Sequence, residues 1–420
     1  MNTLSNASPG PRARGAAPLA RVIERRYGGR DLPLALVLPD GGRVALSEAP
    51  EVDVIARSWR GLKALASPAL GALARAYVHN DIDFTGTARR VLAIAEAMVG
   101  DVAHGRDPFR TKLRHFVHQR RGNRANIRHH YDVSNAFYRL FLDERMVYSC
   151  AYFRASDESL EQAQANKLDH ICRKLRLKAG ERFLDIGCGW GALVIWAAKH
   201  YGVRAHGITL SERQLELARE RIAAEGLEDR VTVELRDYRA LEGEGVYDKV
   251  SSVGMFEHVG LANLPVYHAT VHRVLKPNGL FLNHGISHEE EGWHRDSVDS
   301  AFINRYVFPD GELDMVSNVQ RSMERAHFEI QDVENLRPHY ALTLRHWVQR
   351  IEQRHEEALK HVSEATYRVW RLYMAASAME FESGGTAIYQ ILASRRPDAR
   401  PYGSPVPLTR GDLYDSEKSC

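Results

Sequence analysis

The stretch ERFLDIGCGWGALVIWAAKHYG, residues 181–202, constrains the fold more than any other part of the chain. Phe183 to Ile186 form an apolar run of strand length, Gly187 to Gly191 a tight turn with three glycines, and Leu193 to His200 a helical pattern. A strand that turns through glycines into a helix brings bare backbone and a helix N-terminus up to a ligand. Further strand candidates follow at Arg204 to Ile208, at Val231 to Leu235, and within YDKVSSVGM and GLFLNHGIS, with the helical run SERQLELARERIAAEG between the first two. This series predicts an α/β fold: a doubly wound, mostly parallel sheet whose ligand sits beyond the C-terminal strand ends.

A glycine turn of this kind can serve a dinucleotide. Two details point instead to S-adenosylmethionine: Asp185 ahead of the first glycine, and Trp190 inside a loop where dinucleotide sites carry small residues. Asp185 has a second reading, as a hydrogen-bond acceptor for the loop amides. Sites for this cofactor commonly end the second strand in an acid that holds the ribose hydroxyls. Here the position reads GITLSERQ, which leaves Thr209, Ser211 and Gln214 to supply the polar contacts.

At 420 residues the chain exceeds what one core usually fills, so a main domain of about 250 residues with a smaller companion is expected. Residues 1–18 and 396–420 read as disordered tails rich in small residues and proline. Residues 19–104 read as a small N-terminal α+β domain, with a hairpin turn at Asp40-Gly41-Gly42 and a helix presenting Val91, Ala95, Met98 and Val102 on one face. The catalytic domain is expected over 126–395. A net charge of +3 names no partner, and four scattered cysteines with no CxxC pair indicate neither a metal site nor a disulfide framework. No stretch approaches the roughly 18 apolar residues of a spanning helix, and the N-terminus lacks a signal-peptide pattern, so the protein reads as cytoplasmic.

The exception to the mild charge balance is residues 105–125, within a basic tract that runs on to Arg128. From Arg106 to Arg128 it holds eight Lys/Arg against the single acid Asp107. It reads either as a solvated linker or as a surface for anionic lipid headgroups, since Phe109, Leu113, Phe116 and Val117 lie among the charges. No motif supports nucleic acid.

In SSVGMFEHVG, Glu257 and His258 stand together between apolar neighbours. They read as the end of the fourth strand, where ligands gather. Alternation along that strand would aim Glu257 at the site and His258 away from it.

Taken in order, HHYDVSNAFYRLFLDERMVYSCAYF, DIGCGWG, GITLSERQ, DYRAL and GMFEHVG make the chain resemble the cyclopropane-fatty-acyl-phospholipid synthase family, which includes the mycolic-acid cyclopropane synthases. The match spans about 126–395, and the N-terminal module looks like the extra domain of the bacterial phospholipid enzymes. The resemblance implies a class I S-adenosylmethionine-dependent methyltransferase fold, Rossmann-like. It implies transfer of a methylene to the cis double bond of an unsaturated acyl chain in a membrane phospholipid, forming a cyclopropane ring. A sister outcome leaves a methyl or methylene branch, or methylates another acceptor.

The resemblance further implies a bound bicarbonate ion as proton acceptor, cradled by Cys150, Glu257, His284 and Tyr340, with backbone from Ile286. Taken alone, Tyr340 can equally be packing, His284 a strand-end residue and Cys150 an inert thiol. For the cofactor, the matched positions are Tyr148, Ser149, Gly187, Gly189, Thr209, Leu210, Gln214, Asp237 and Tyr238, beside Asp185. Tyr138, Tyr148, Phe256 and Tyr306 are candidates for an acyl channel, with core packing as the alternative. Ser377 stands where several relatives place a cysteine. Family members are commonly homodimers, and peripheral association with the inner leaflet of the cell membrane is expected.

Overall fold

The computed structural model describes residues 23, 32–66, 70–99, 133–288, 313–397, 399 and 403–414. The basic tract 105–125, the first tail and Tyr306 lie outside the described residues. The described residues group into two compact units: those within 1–116 with residues 351–376, and those within 117–293, 308–350 and 377–420.

The first unit carries strands β1 (Leu34–Val37), β2 (Arg43–Ala45), β3 (Val52–Ala56) and β4 (Ile82–Phe84) in the order β2-β1-β3-β4. The β1–β3 pair is parallel and the other two pairs are antiparallel. The expected hairpin turn is present. Gly41 sits at φ 86°, and Asp40 accepts the Gly42 N–H at 2.9 Å. Residues 351–376 complete this unit, with Leu372 in its core beside Leu62, Leu65 and Leu73. Arg368 donates to the main-chain oxygens of Tyr77 and Ile82 at 3.0 and 3.3 Å, and to Asp83 at 3.0 Å.

The second unit is built on seven strands: β5 (Arg182–Ile186), β6 (Arg204–Thr209), β7 (Val231–Leu235), β8 (Tyr247–Val253), β9 (Leu275–His288), β10 (Phe328–Asn335) and β11 (Thr386–Arg395). Their order is β10-β11-β9-β8-β5-β6-β7, with β5 to β9 parallel and β11 antiparallel to both its neighbours. This is the doubly wound, mostly parallel sheet expected from the alternating pattern. The strand order reverses between β5 and β8, and there the C-terminal strand ends open a crevice for a ligand.

Side-chain alternation divides β9 between two cores. Leu280 and Leu282 face the helices Leu160–Lys174 and Ala192–Tyr201, while Phe281 faces the helices Leu264–Val274 and Val316–Arg325. Among the described residues no helix is long and apolar enough to cross a membrane. Residues 403–414, within the segment that sequence composition assigns to a tail, hold a short helix at Gly411–Tyr414. Asp412 there accepts from Arg176 at 2.7 Å, and Arg410 pairs with Asp332 at 2.7 Å.

Candidate active site

The loop after β5 is shaped by three glycines at positive φ: 82° at Gly187, 54° at Gly189 and 81° at Gly191. At Gly187 a Cβ would also meet Met255 Cγ at 3.1 Å, so this position carries both a conformational and a steric demand. The amides of Gly187 and Cys188 both donate to the Ile208 oxygen at 3.0 Å, tying the loop to the end of β6.

One cavity opens over this loop. It is lined by Tyr148, Ser149, Asp185, Gly187, Gly189, Thr209, Leu210, Gln214 and Tyr238, nine of the ten positions expected at a cofactor site. Asp237 is not among its lining residues. Its carboxylate instead accepts the Arg239 N–H at 2.9 Å, capping the turn Tyr238–Ala240, and it pairs with the Arg239 guanidinium at 2.6 Å.

Asp185 accepts the Ser251 hydroxyl at 2.6 Å. Burial raises its carboxyl to about 6, against the lowering pull of the Ser251 bond and of Lys167. The reading of Asp185 as acceptor for the loop amides fails for Gly187 and Cys188, whose N–H groups are taken by Ile208. Across the cavity Thr209 donates to Gln214 Oε1 at 2.7 Å, which fixes the Gln214 amide and leaves its nitrogen to donate. Trp190 donates to Asn135 at 2.9 Å and is buried, so it anchors the loop to the preceding segment.

Two of the lining residues that the sequence did not mark as site residues carry ionisable groups deep in the cavity. Lys167, on the helix Leu160–Lys174, is 2% exposed and donates to Ser149 Oγ at 2.8 Å. His258 is the second, and it corrects the strand-end expectation. Strand β8 stops at Val253, Gly254 takes φ 65°, and Phe256–Val259 is one turn of helix. Neighbouring side chains on a helical turn diverge by about 100° instead of alternating. Glu257 therefore reaches β9 while His258 lines the cavity, where burial lowers its imidazole to about 4.

Glu257 Oε1 accepts the Ile286 N–H at 2.7 Å, and Oε2 is buried with no partner among the described residues. Burial raises this carboxyl to about 7, and the Ile286 bond moderates the rise. Two residues back along β9, His284 is fully buried beside Gln390 of β11, with 3.2 Å between Nδ1 and the Gln390 amide nitrogen. With that amide as donor, Nδ1 accepts and the ring proton lies on Nε2, the atom that has no partner among the described residues. Burial drives the imidazole down to about 3, so it is neutral.

The other expected residues converge on the same strands. Leu336 donates to the oxygen of Ile388, which pairs with Ile286 across β11 and β9. Cys150 Sγ lies 3.8 Å from the Leu336 oxygen, and Tyr340 sits one helical turn beyond Leu336. Burial pushes the Cys150 thiol well up, so it carries no thiolate chemistry here.

Ring contacts run without a break from Trp190 through Tyr138, Tyr148 and Trp347 to Tyr340, at centroid distances of 5.0, 5.5, 5.2 and 6.1 Å. An aromatic wall thus links the glycine loop to Tyr340. Phe256 belongs instead to the core, packed so closely on Gly285 that a Cβ there would lie 2.1 Å from its ring. Ser377 is half-buried on the helix Glu364–Ser383.

The family described as mycolic acid cyclopropane synthetase matches residues 118–391. A probable fatty acid methyltransferase of Pseudomonas putida is 42% identical over 387 residues, covering 91% of this chain and 96% of that protein. The cyclopropane-fatty-acyl-phospholipid synthase of Escherichia coli is 41% identical over 266 residues, 63% of this chain and 66% of that one. Among solved structures, the mycolic acid cyclopropane synthase CmaA1 complexed with SAH and CTAB superimposes with a TM-score of 0.61 at 32% identity, covering 64% of this chain and 98% of that chain. With a glycine-loop cavity at the switch point of its sheet and this match over most of its length, the chain belongs to the mycolic acid cyclopropane synthetase family of S-adenosylmethionine-dependent methyltransferases.

Proposed function

We propose that the protein transfers a methylene from S-adenosylmethionine to the cis double bond of an unsaturated acyl chain in a membrane phospholipid, closing a cyclopropane ring. The observation that carries this reading is that Glu257 Oε2 and His284 Nε2, on side chains tied to neighbouring positions of β9, are both buried without a partner among the described residues. Buried polar groups without partners are costly, and a site that keeps two of them is built to receive something.

The cavity residues fit the cofactor. Gly187 and Gly189 bring bare backbone close, Gln214 and Thr209 offer polar atoms for ribose, and Tyr148 and Ser149 line the cavity beside Lys167. When bound, the cofactor supplies an electrophilic methyl on a sulfonium. An alkene is a weak nucleophile, so the protein must hold it in line and keep water from the cation that forms. The wall from Tyr138 to Tyr340 is suited to both tasks, because aromatic faces exclude water and stabilise positive charge.

Ring closure then requires loss of a proton from the transferred carbon, with the C–H electron pair becoming the new ring bond. Glu257, raised to about 7, is poised to take part in that proton transfer near neutral pH. A bicarbonate ion would suit the same place: Glu257 Oε2 can accept its hydroxyl, while neutral His284 and the Tyr340 hydroxyl can donate to its oxygens. The Ile286 N–H is already given to Glu257, so its part is to orient that carboxylate. Cys150 offers packing and backbone.

A second reading is favoured by one observation. The Pseudomonas putida relative that aligns with 91% of this chain is named a probable fatty acid methyltransferase. A methylene branch and a cyclopropane add the same mass, so the test must read structure. The protein is incubated with methyl-labelled cofactor and cis-unsaturated phospholipid vesicles, and the recovered lipid is examined by NMR. Upfield cyclopropane protons are expected; vinylidene protons would establish the second reading, and no labelled lipid would overturn both. In this proposal the protein works at the inner leaflet as a homodimer, with the basic tract meeting anionic lipid; salt-dependent sedimentation with anionic but not neutral vesicles is the expected result.

A further inference from the structure

Lys167 is a buried cation that lines the cavity and has no part in the proton transfer assigned to Glu257. It projects from the helix Leu160–Lys174, with an exposure of 2%, and its only hydrogen bond among the described residues is the one to Ser149 Oγ at 2.8 Å. An ammonium carries three donors. Burying one against a single neutral hydroxyl is costly unless an anion completes its surroundings.

The carboxylates and other titratable groups that face it are Asp143, Asp185, Cys150 and His284. Asp143 and Asp185 act on it only through space, and none of the four is in ion-pair contact with the ammonium. Asp143 is committed to the main-chain N–H groups of Val147 and Arg145 at 2.7 and 3.1 Å, and Asp185 to Ser251. The Cys150 thiol is held protonated by burial and His284 is neutral. Among the described residues no ion pair to Lys167 exists.

Its surroundings are fixed. Gln164, one turn earlier on the same helix and also fully buried, donates to the main-chain oxygens of Ser149 and Val147 at 2.9 and 3.3 Å. The helix therefore clamps the segment that holds Ser149, and Ser149 and Lys167 present a hydroxyl and an ammonium to the cavity together.

We propose that Lys167, acting with Ser149, is the receptor for the carboxylate of the cofactor's methionine moiety. The inference rests on S-adenosylmethionine being the occupant of this cavity. A carboxylate arriving at Lys167 supplies a directly bound counter-charge and replaces the water that the ammonium gave up on folding. Burial holds Lys167 at about 8 in the protein alone. Binding an anion favours its charged form, so cofactor binding near pH 8 takes up a proton.

The test is calorimetric titration of the full-length protein with S-adenosylhomocysteine and with its decarboxylated analogue, S-adenosyl-3-thiopropylamine. Both keep adenosine, sulfur and the amine, and only the first has the carboxylate. The wild type is expected to prefer S-adenosylhomocysteine by about tenfold to a hundredfold, the usual range for a charge-assisted hydrogen bond. In Lys167→Met that preference should fall to near one through loss of affinity for S-adenosylhomocysteine alone, and Lys167→Arg should recover most of it. A preference unchanged in Lys167→Met, or both ligands weakened equally, overturns the proposal and makes Lys167 structural.

Should Lys167→Met not fold, the wild type decides. At pH 8, in buffers of different ionisation enthalpy, proton uptake should accompany S-adenosylhomocysteine and exceed that for the analogue. Equal uptake overturns the proposal. If neither ligand binds the wild type, the cofactor assignment of the cavity fails first, and the proposal falls with it.

Discussion

Glu257 and Ile286 are joined across 29 residues of sequence by a 2.7 Å hydrogen bond in which the main-chain N–H holds one carboxylate oxygen and leaves the other buried without a partner among the described residues. Replacing Glu257 with Gln keeps the acceptor for Ile286 and removes the ionisable oxygen. We expect turnover to fall by about a hundredfold or more, the usual scale for losing a positioned proton acceptor. The Kd for S-adenosylhomocysteine, measured by calorimetry, should stay within about threefold, since a side chain acting only in proton transfer adds little to ground-state binding. Loss of cofactor binding would mark Glu257 as structural.

The same carboxyl sets the pH response. It is protonated below about 7 and ionised above, while His284 at about 3 stays neutral throughout. With Glu257 needed as the anion, the rate under saturating cofactor should rise through pH 7, and a profile flat from pH 6 to 8 would contradict it.

Stability should run the other way. A carboxyl raised in the folded state stabilises at low pH and loses that contribution as pH climbs through its folded value. Between about 4.5 and 7 the wild type should lose up to roughly 3 kcal/mol from this residue, and Glu257→Gln should not. Chemical denaturation at pH 4 and pH 8 compares them: the two proteins should converge at pH 4, and the variant should be the more stable at pH 8.

Gly285 tests the backing of the site. A Cβ there would lie 2.1 Å from the Phe256 ring, so Gly285→Ala should destabilise by about 1–3 kcal/mol in denaturant melts. Phe256→Leu should relieve part of the clash, making the double variant less unstable than the sum of the single ones.

The sheet and the glycine loop were legible because both rest on local pattern: apolar runs of strand length, turn glycines and helical periodicity between them. The strand ranges at β5, β6 and β7 agree with the sequence to within a residue. His258 was misplaced because a single glycine, Gly254 at φ 65°, ends β8 early and starts a helical turn, and apolar patterning does not register that change. Lys167 was missed because a lysine in a helix of mixed polarity looks solvated. Its burial comes with the docking of this helix on the segment around Val147 and Ser149, nearly twenty residues away in sequence, a relation that periodicity does not register. Asp237 is a case of shared segment and separate use, since the chain brings its neighbour Tyr238 into the cavity and spends the acid on a turn cap.

The first unit closes on residues from far down the chain: Ala88 donates to Glu352 across 264 positions, and Arg368 ties Tyr77, Ile82 and Asp83 together. The strands of this unit are synthesised before the residues that complete it, so its last contacts must await the intervening sheet, and vectorial synthesis and folding order oppose each other here.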